Sequence, residues 1–230
     1  MRILGLIPAR GGSRALPDKN IMLLAGKSLV QRTYECASAF GGLDRIILST
    51  DSEAIITHAR EFGLEVPFVR PPEFASDESP MIDVAIHALE FLAKQGDEFD
   101  ALLLLQPTSP LRTPAHIARA IELLGDNDAV CSVVEVPKEA NPYRLVKVAE
   151  NGFLDFVCPE ARHIACRQDE PQAYRREGTI FLARVDTIQK DHSFYGNTCV
   201  PFVLEPDETL NIDTEGDWQE AERRLACQNG

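Results

Sequence analysis

The chain has 230 residues, 44% of them hydrophobic and 26% charged, with a formal net charge of −13. That length suits one large domain, or one domain with an insertion, around a sizeable core. The acidic balance speaks against a general nucleic-acid binder and against docking on anionic lipid; an anionic substrate would need a local basic patch working against the global field. Six cysteines, at 36, 131, 158, 166, 199 and 227, show no CxxC and no zinc spacing, so reduced thiols in a cytoplasmic protein are expected. The opening MRILGLIP is too short for a signal core or a membrane span, and no other apolar stretch is long enough to cross a bilayer.

Apolar runs bounded by breakers alternate with longer amphipathic stretches. Residues 3–8 read as a buried strand, 28–40 as a helix, 45–50 (RIILST) as a second strand and 51–62 as a second helix. A short strand follows at 66–70, then a long helix at 80–95. There Met81, Val84, Ala85, Ala88, Leu89 and Leu92 keep the 3–4 spacing of one buried face. Residues 101–106 (ALLLLQ) are hydrophobic on both faces, the mark of a central strand covered on both sides. A helix at 114–124 opens on Pro114, which suits a first turn, and 129–136 is another strand. The strand–helix alternation implies an α/β fold with a mostly parallel sheet and right-handed crossovers.

The rhythm changes after Val136. Residues 143–149 and 153–157 are strand-like and joined through Glu150-Asn151-Gly152, a hairpin signal. Residues 138–175 therefore read as an inserted arm within a single domain spanning 1–230. Strands at 179–184 and 200–204 and a helix at 215–227 complete the chain, with no repeat, low-complexity tract or linker.

The segment IPARGGSRALPDKN, residues 7–20, follows the first strand, at the edge where open α/β sheets bind ligands. Gly11 and Gly12 let the backbone turn sharply and approach a ligand closely. Successive N–H groups in such a turn form an anion-binding nest. Arg10, Arg14 and Lys19 add charge-assisted contacts to phosphate oxygens. The composition suits a polyphosphate; a solvated loop with incidental charges is the plainer alternative. No G-x-G-x-x-G occurs. Gly26-Lys27-Ser28 looks like the end of a Walker A motif, but the first glycine of that motif would fall at Ile21, so Lys27 reads as a turn residue before a helix.

IPARGGSRALPDKN resembles the signature of the acylneuraminate cytidylyltransferases, the CMP-sialic acid synthetases. DRIILSTDSEAI at 44–55, VRPPEFASDESPMIDVAIHALEFL at 69–92, LLLLQPTSPLRT at 102–113 and RQDEPQAYRREGTIF at 167–181 agree with that family in order and spacing. LNIDTEGD at 210–217 is a weaker match, and together these stretches span nearly the whole chain. The resemblance implies a three-layer α/β/α sandwich with a mostly parallel, Rossmann-like sheet of the nucleotide-diphospho-sugar transferase type. It implies that the anomeric C2 hydroxyl of a nine-carbon 2-keto sugar acid attacks the α-phosphate of CTP, so that pyrophosphate leaves and a CMP-sugar forms. Such chemistry needs neutralised phosphate charge, a metal and a positioned attacking oxygen. The implied partners are CTP, a keto-sugar acid and a second copy of the chain, with the 138–175 arm exchanged into the partner's sugar pocket; neither nucleic acid nor membrane is expected.

By this resemblance Arg10, Ser13, Arg14 and Lys19 would hold the triphosphate, with Arg10 and Lys19 nearest the reacting phosphate. Asn20 would read the cytosine with its amide, or else cap a turn. Arg70 would contact the nucleotide, or else lie on the surface at a strand end. Ser79 falls where the family touches base or ribose; the hydroxyl often found just after the following proline is replaced here by Met81. Gln106 would hydrogen-bond the sugar, or satisfy loop backbone in PTSPLRT. Arg167 would pair with the sugar carboxylate through its planar guanidinium, with Tyr174 near the same pocket. Where the family commonly has Asn-Gly this chain has Glu177-Gly178, a carboxylate that would repel an anionic sugar unless paired with Arg175 or Arg176.

The Asp-x-Asp of the family reads Asn211-Ile212-Asp213 here. Asp213 would hold magnesium, or manganese in its place, bridged by the triphosphate, with Asn211 offering a neutral carbonyl oxygen. Without a metal, Asp213 is a helix-entry residue. Thr214-x-x-Asp217 forms a capping box for the last helix. His58, His87 and His116 have no metal spacing and read as packing or surface residues, and Ser13 and Ser109 lack the His–Asp partners of a hydrolase triad. Legionaminic, pseudaminic or deoxy-octulosonic acid is the alternative substrate. Asn211 motivates a rival of another class, a CTP-binding subunit without catalysis.

Overall fold

Side chains of the first strand, β1 (Ile3–Pro8), alternate between two hydrophobic bodies: Ile3 and Ile7 enter one, Leu4 and Leu6 the other. A computed structural model of the chain describes residues 1–12, 16–164 and 170–228. After β1 come a short hairpin, β2 (Leu23–Leu24) and β3 (Lys27–Ser28), then α1 (Leu29–Phe40), β4 (Arg45–Ser49), α2 (Glu53–Glu61) and α3 (Met81–Ala93). β5 (Ala101–Leu104), α4 (Pro114–Leu124) and β6 (Ala129–Glu135) follow. The arm carries β7 (Val146–Val148) and β8 (Leu154–Phe156). β9 (Tyr174–Arg184), α5 (Val185–Lys190), β10 (Cys199–Val203) and α6 (Glu215–Gln228) close the chain.

The main sheet has the order β10-β6-β9-β5-β1-β4. β1 pairs in parallel with β4 and β5, and β10 with β6, while β9 runs against both β5 and β6. Val30 and Ala37 of α1, Ile55 and Ala59 of α2, and Ile117, Ala120 and Leu124 of α4 cover one face. Ile82, Ala85, Ala88, Leu89 and Leu92 of α3, with Ile188 of α5, cover the other. This is the expected three-layer α/β/α sandwich. No helix among the described residues is long and apolar enough to cross a membrane.

Three helices start where a side-chain oxygen accepts a free backbone N–H. Ser28 accepts from Gln31 N, Ser52 from Ile55 N, and Thr113 from His116 N with Pro114 in the first turn. Lys27, read as a turn residue, instead follows the turn at Ala25-Gly26 as the first residue of β3, where it pairs with Leu24 across the ladder and its ammonium with Glu35.

Three expectations need adjustment. Residues 66–70 form no strand; only the bridges Ile47↔Glu65 and Thr50↔Val69 occur, because Pro67 has no N–H to give a ladder. The hairpin expected at 143–149 and 153–157 contracts to three residues a side, and Pro142–Arg144 is a 3₁₀ turn. The strand expected at 179–184 already begins at Tyr174, inside the stretch assigned to the arm.

Candidate active site

The ends of β1, β4 and β5 lie on one edge of the sheet, and the loops leaving them carry Arg10, Asp51 and Gln106. The antiparallel β9 enters at that same edge, bringing Arg175–Gly178 beside the loop after β5. A cavity of about 330 Å³ opens there, lined by Arg10, Lys19, Asn20, Arg70, Met81, Gln106, Thr108, Asn211 and Asp213 together with Pro8 and Pro107.

Lys19 and Asp213 come together for a packing reason. Trp218, Ala221 and Leu225 of α6 pack on Leu16, Leu24 and Leu29, and Ile212 is buried in the same cluster. Ile212 N donates to Thr108 O at 2.9 Å, which fixes the segment before α6 against the loop after β5. Asp213 must then emerge beside Lys19, whose Nζ donates to Ile212 O at 2.9 Å and lies 3.4 Å from Asp213 Oδ1. The N–H groups of Asp213 and Thr214 donate to Asp217 Oδ2 at 3.0 and 2.7 Å, and Asp217 N donates back to Thr214 Oγ1 at 3.3 Å. The capping box is therefore present, and it also fixes the Asp213 backbone. Asn211 Nδ2 donates to Asp213 Oδ2.

The glycine loop differs from its expected form. Gly11 N donates to Asp51 Oδ1 at 2.9 Å, so this amide is spent within the protein rather than offered to an anion. A Cβ at Gly11 would come within 2.9 Å of Ser52 Cβ, so the glycine serves close packing of the loop on the cap of α2. Arg10 pairs with Asp77, and its carbonyl accepts from Asn20 Nδ2 at 3.1 Å. Asn20 thus braces the loop while lining the cavity.

Arg70 is not a surface residue: it is 3% exposed. Its Nε donates to Ser49 Oγ at 3.0 Å and its Nη2 to Ser49 O. Burial pushes its pKa down to about 10, an effect Asp51 opposes and Arg10 reinforces.

A second cavity, of about 610 Å³, adjoins the first and is lined by Gln106, Arg175, Arg176, Glu177, Gly178, Phe181 and Asn211. Gln106 and Asn211 line both. Arg176 Nη1 donates to Tyr195 Oη at 2.6 Å. The expected pairing of Glu177 with Arg175 or Arg176 does not occur. Its side chain turns into the core, where Oε2 accepts from Thr179 N at 2.7 Å and lies 3.2 Å from Ser132 Oγ. The buried guanidinium beside it is that of Arg112, which donates from Nε to Thr179 O at 2.7 Å and from Nη2 to Gln106 O at 2.8 Å. Burial lowers the Arg112 pKa to about 10, offset in part by Cys36 and Glu177.

Of the residues singled out from sequence, Arg10, Lys19, Asn20, Arg70, Gln106, Asn211 and Asp213 meet in the first cavity, with Met81. Ser79 lines neither cavity: its hydroxyl donates to Glu73 O at 3.0 Å and lies 2.8 Å from Ser76 Oγ, which closes the turn before α3. Tyr174 also lines neither, because it pairs with Glu135 at the outer end of β9, beyond the bend that faces Gln106. Ser13, Arg14 and Arg167 lie outside the described residues. None of the histidines lines either cavity; His87, for one, sits against Phe68 at a centroid distance of 4.7 Å. Neither Thr108 nor Arg112 stands out in the sequence, although both lie in LLLLQPTSPLRT, and Arg175 and Arg176 stand out there only as partners for Glu177.

The donor set is compatible with a divalent cation carried by phosphate. The Asp213 side chain is 66% exposed and faces the cavity with Asn211 beside it. Among the described residues no group of three or more His, Cys, Asp or Glu gathers for a metal. One carboxylate and one amide match magnesium, which completes its shell with water and phosphate oxygens.

The model of the cytidylyltransferase family matches residues 4–223. The chain belongs to the cytidylyltransferase family. It is 37% identical over 228 residues to the CMP-N,N'-diacetyllegionaminic acid synthase of Legionella pneumophila, covering 98% of this chain and 97% of that one. It is 33% identical to an N-acylneuraminate cytidylyltransferase of Streptococcus agalactiae, covering 95% of this chain and 52% of that longer protein. The structure of a CMP:2-keto-3-deoxy-manno-octonic acid synthetase complexed with CTP superposes with a TM-score of 0.74 over 99% of this chain and all of that one, at 20% identity, which shows the shared fold.

Proposed function

We propose that this cytidylyltransferase activates a nine-carbon 2-keto sugar acid of the sialic-acid kind, transferring CMP from CTP to its anomeric oxygen. The observation that carries this reading is the meeting of Arg10, Lys19, Arg70 and Asp213 in one cavity that continues, past Gln106 and Asn211, into a second. The first cavity suits the nucleotide and the second the sugar.

The C2 hydroxyl oxygen forms a bond to the α-phosphorus. The bond from that phosphorus to the α–β bridging oxygen breaks, pyrophosphate takes the electron pair, and the hydroxyl proton passes to solvent. Lys19, and Arg10 after exchanging Asp77 for phosphate, offset charge that builds on the phosphates. Arg70, fixed by Ser49, adds a guanidinium that needs no reordering. Gln106 at the junction orients the attacking sugar. Asp213 and Asn211 would hold magnesium, or manganese, and the bound cation would neutralise the triphosphate further.

A legionaminic-type acid is the second reading, supported by the similarity to the Legionella synthase along its full length. Incubating the protein with CTP, magnesium and a mixed pool of keto-sugar acids, with mass spectrometry of the products, tests both. A CMP-sugar identifies the substrate; CTP binding with no pyrophosphate from any acid would favour a silent binding subunit.

We also infer a homodimer joined through the arm. Val148, Phe153 and Leu154 are 73%, 72% and 71% exposed in the single chain, an apolar surface suited to a second copy. The free thiols of Cys36, Cys131, Cys158, Cys199 and Cys227 and the use of CTP support a cytoplasmic setting.

A further inference from the structure

β9 carries an irregularity opposite a single residue of β6. Cys131 pairs with Phe181 and Val133 with Arg176, so residues 177–180 together face Ser132. A bulge of this kind re-aims the strand and strands its backbone groups. Here side chains collect them. Ile180 N donates to Ser132 Oγ at 2.8 Å. That hydroxyl lies 2.9 Å from Glu177 O and 3.2 Å from both Ile180 O and Glu177 Oε2, with one proton to give among them. Glu177 Oε2 takes the N–H of Thr179, and Arg112 takes the carbonyl of Thr179 and lies 3.5 Å from that of Gly178.

The same guanidinium donates to Gln106 O, so one side chain ties the bulge to the residue at the junction of the cavities. The contact is close: a Cβ on Gly178 would lie 2.7 Å from Gln106 Oε1 and 3.1 Å from Ser109 Oγ. Burying this layer leaves Glu177 Oε1 and Arg112 Nη1 without a partner among the described residues, a cost that an apolar filling would not carry. What the polar layer does, and an apolar one cannot, is fix the backbone of the bulge.

We propose that Glu177 is a positioning residue that, through the bulge and Gly178, sets the Gln106 carboxamide toward the acid sugar. Glu177 lines the second cavity, but it is 4% exposed and its carboxylate is turned inward to Thr179 N, so it acts through the bulge rather than through its own carboxylate on the substrate. The inference rests on the reading of the second cavity as the sugar site.

Three variants test it: Glu177→Ala, Glu177→Gln and Gly178→Ala. The added methyl of Gly178→Ala meets the far ends of two side chains, so this variant keeps its fold if Glu177→Ala does not. Steady-state kinetics with CTP and the sugar acid that the wild type accepts should show the sugar KM raised about tenfold in Glu177→Ala and Gly178→Ala, with the CTP KM within about twofold of wild type. Glu177→Gln, whose amide oxygen still accepts from Thr179 N, should recover most of the loss. Unchanged sugar KM in a folded Gly178→Ala, or equal rises in both KM values, overturns the proposal. Should the wild type turn over no sugar acid, the reading of the cavity fails; crystal structures of Gly178→Ala and Glu177→Gln still decide the positioning claim. A Gln106 carboxamide displaced in the first and native in the second supports it, and one unmoved in the first contradicts it.

Discussion

Lys19 and Asp213, 194 residues apart in the chain, face one cavity with their charged ends 3.4 Å apart. The contact is made from both sides. Lys19 holds the carbonyl of the buried Ile212, and Asp217 holds the amide of Asp213. On the proposed reading, a triphosphate entering between them would meet a cation and a carboxylate already held in place, which would lower the reorganisation needed for reaction.

Lys19→Ala should lower kcat/KM by about 100-fold or more while the fold survives, since a charge opposed to the transferring phosphate is lost. Kinetics beside a thermal melt check this. Wild-type turnover in a folded variant would remove Lys19 from the site.

Asp213→Asn should remove the dependence on magnesium along with the rate. Asn211→Asp, which restores a second carboxylate, should lower the midpoint of a magnesium titration by about tenfold. Calorimetric titration of the protein–CTP complex with magnesium reads both. A midpoint unaltered in Asn211→Asp would show that residue 211 lies outside the ion's reach.

The arm gives a separate expectation. Val148→Asp with Leu154→Asp should shift light scattering from dimer to monomer and weaken use of the sugar acid while CTP binding persists. A monomeric wild type would contradict the dimer outright.

Stability should fall with acid for a stated reason. Burial holds His87 and His116 below their ordinary value of 6.5, so the unfolded chain takes up protons first as pH drops. The stability these groups allow is complete above 6.5 and is lost below it. Urea midpoints between pH 8 and pH 5 should decline, and His87→Gln, which removes a ring set among Phe68, Phe74 and Phe91, should flatten the decline. An identical slope in that variant would assign the effect to other groups.

Much of this was legible in the chain because the relevant signals are local. Apolar period and breakers locate β1, β4, β5 and every long helix, and the cations of IPARGGSRALPDKN mark out Arg10 and Lys19, which both line the first cavity. Through-space relations were not legible. Nothing in the spacing of Gly11 reveals that its amide is taken by Asp51, 40 residues on. Glu177 reads as a carboxylate facing the anionic sugar beside two arginines; only the bulge opposite Ser132 turns it inward to Thr179. Arg70 reads as a strand-end cation because its partner, Ser49, lies 21 residues back in β4.

The most direct test of the account is a crystal structure of the protein with CTP. It should show the triphosphate against Arg10, Lys19 and Arg70, with Arg10 released from Asp77 and the ribose and base toward Asn20 and Met81. CTP bound elsewhere, with Lys19 and Asp213 still in contact across an untouched cavity, would contradict it.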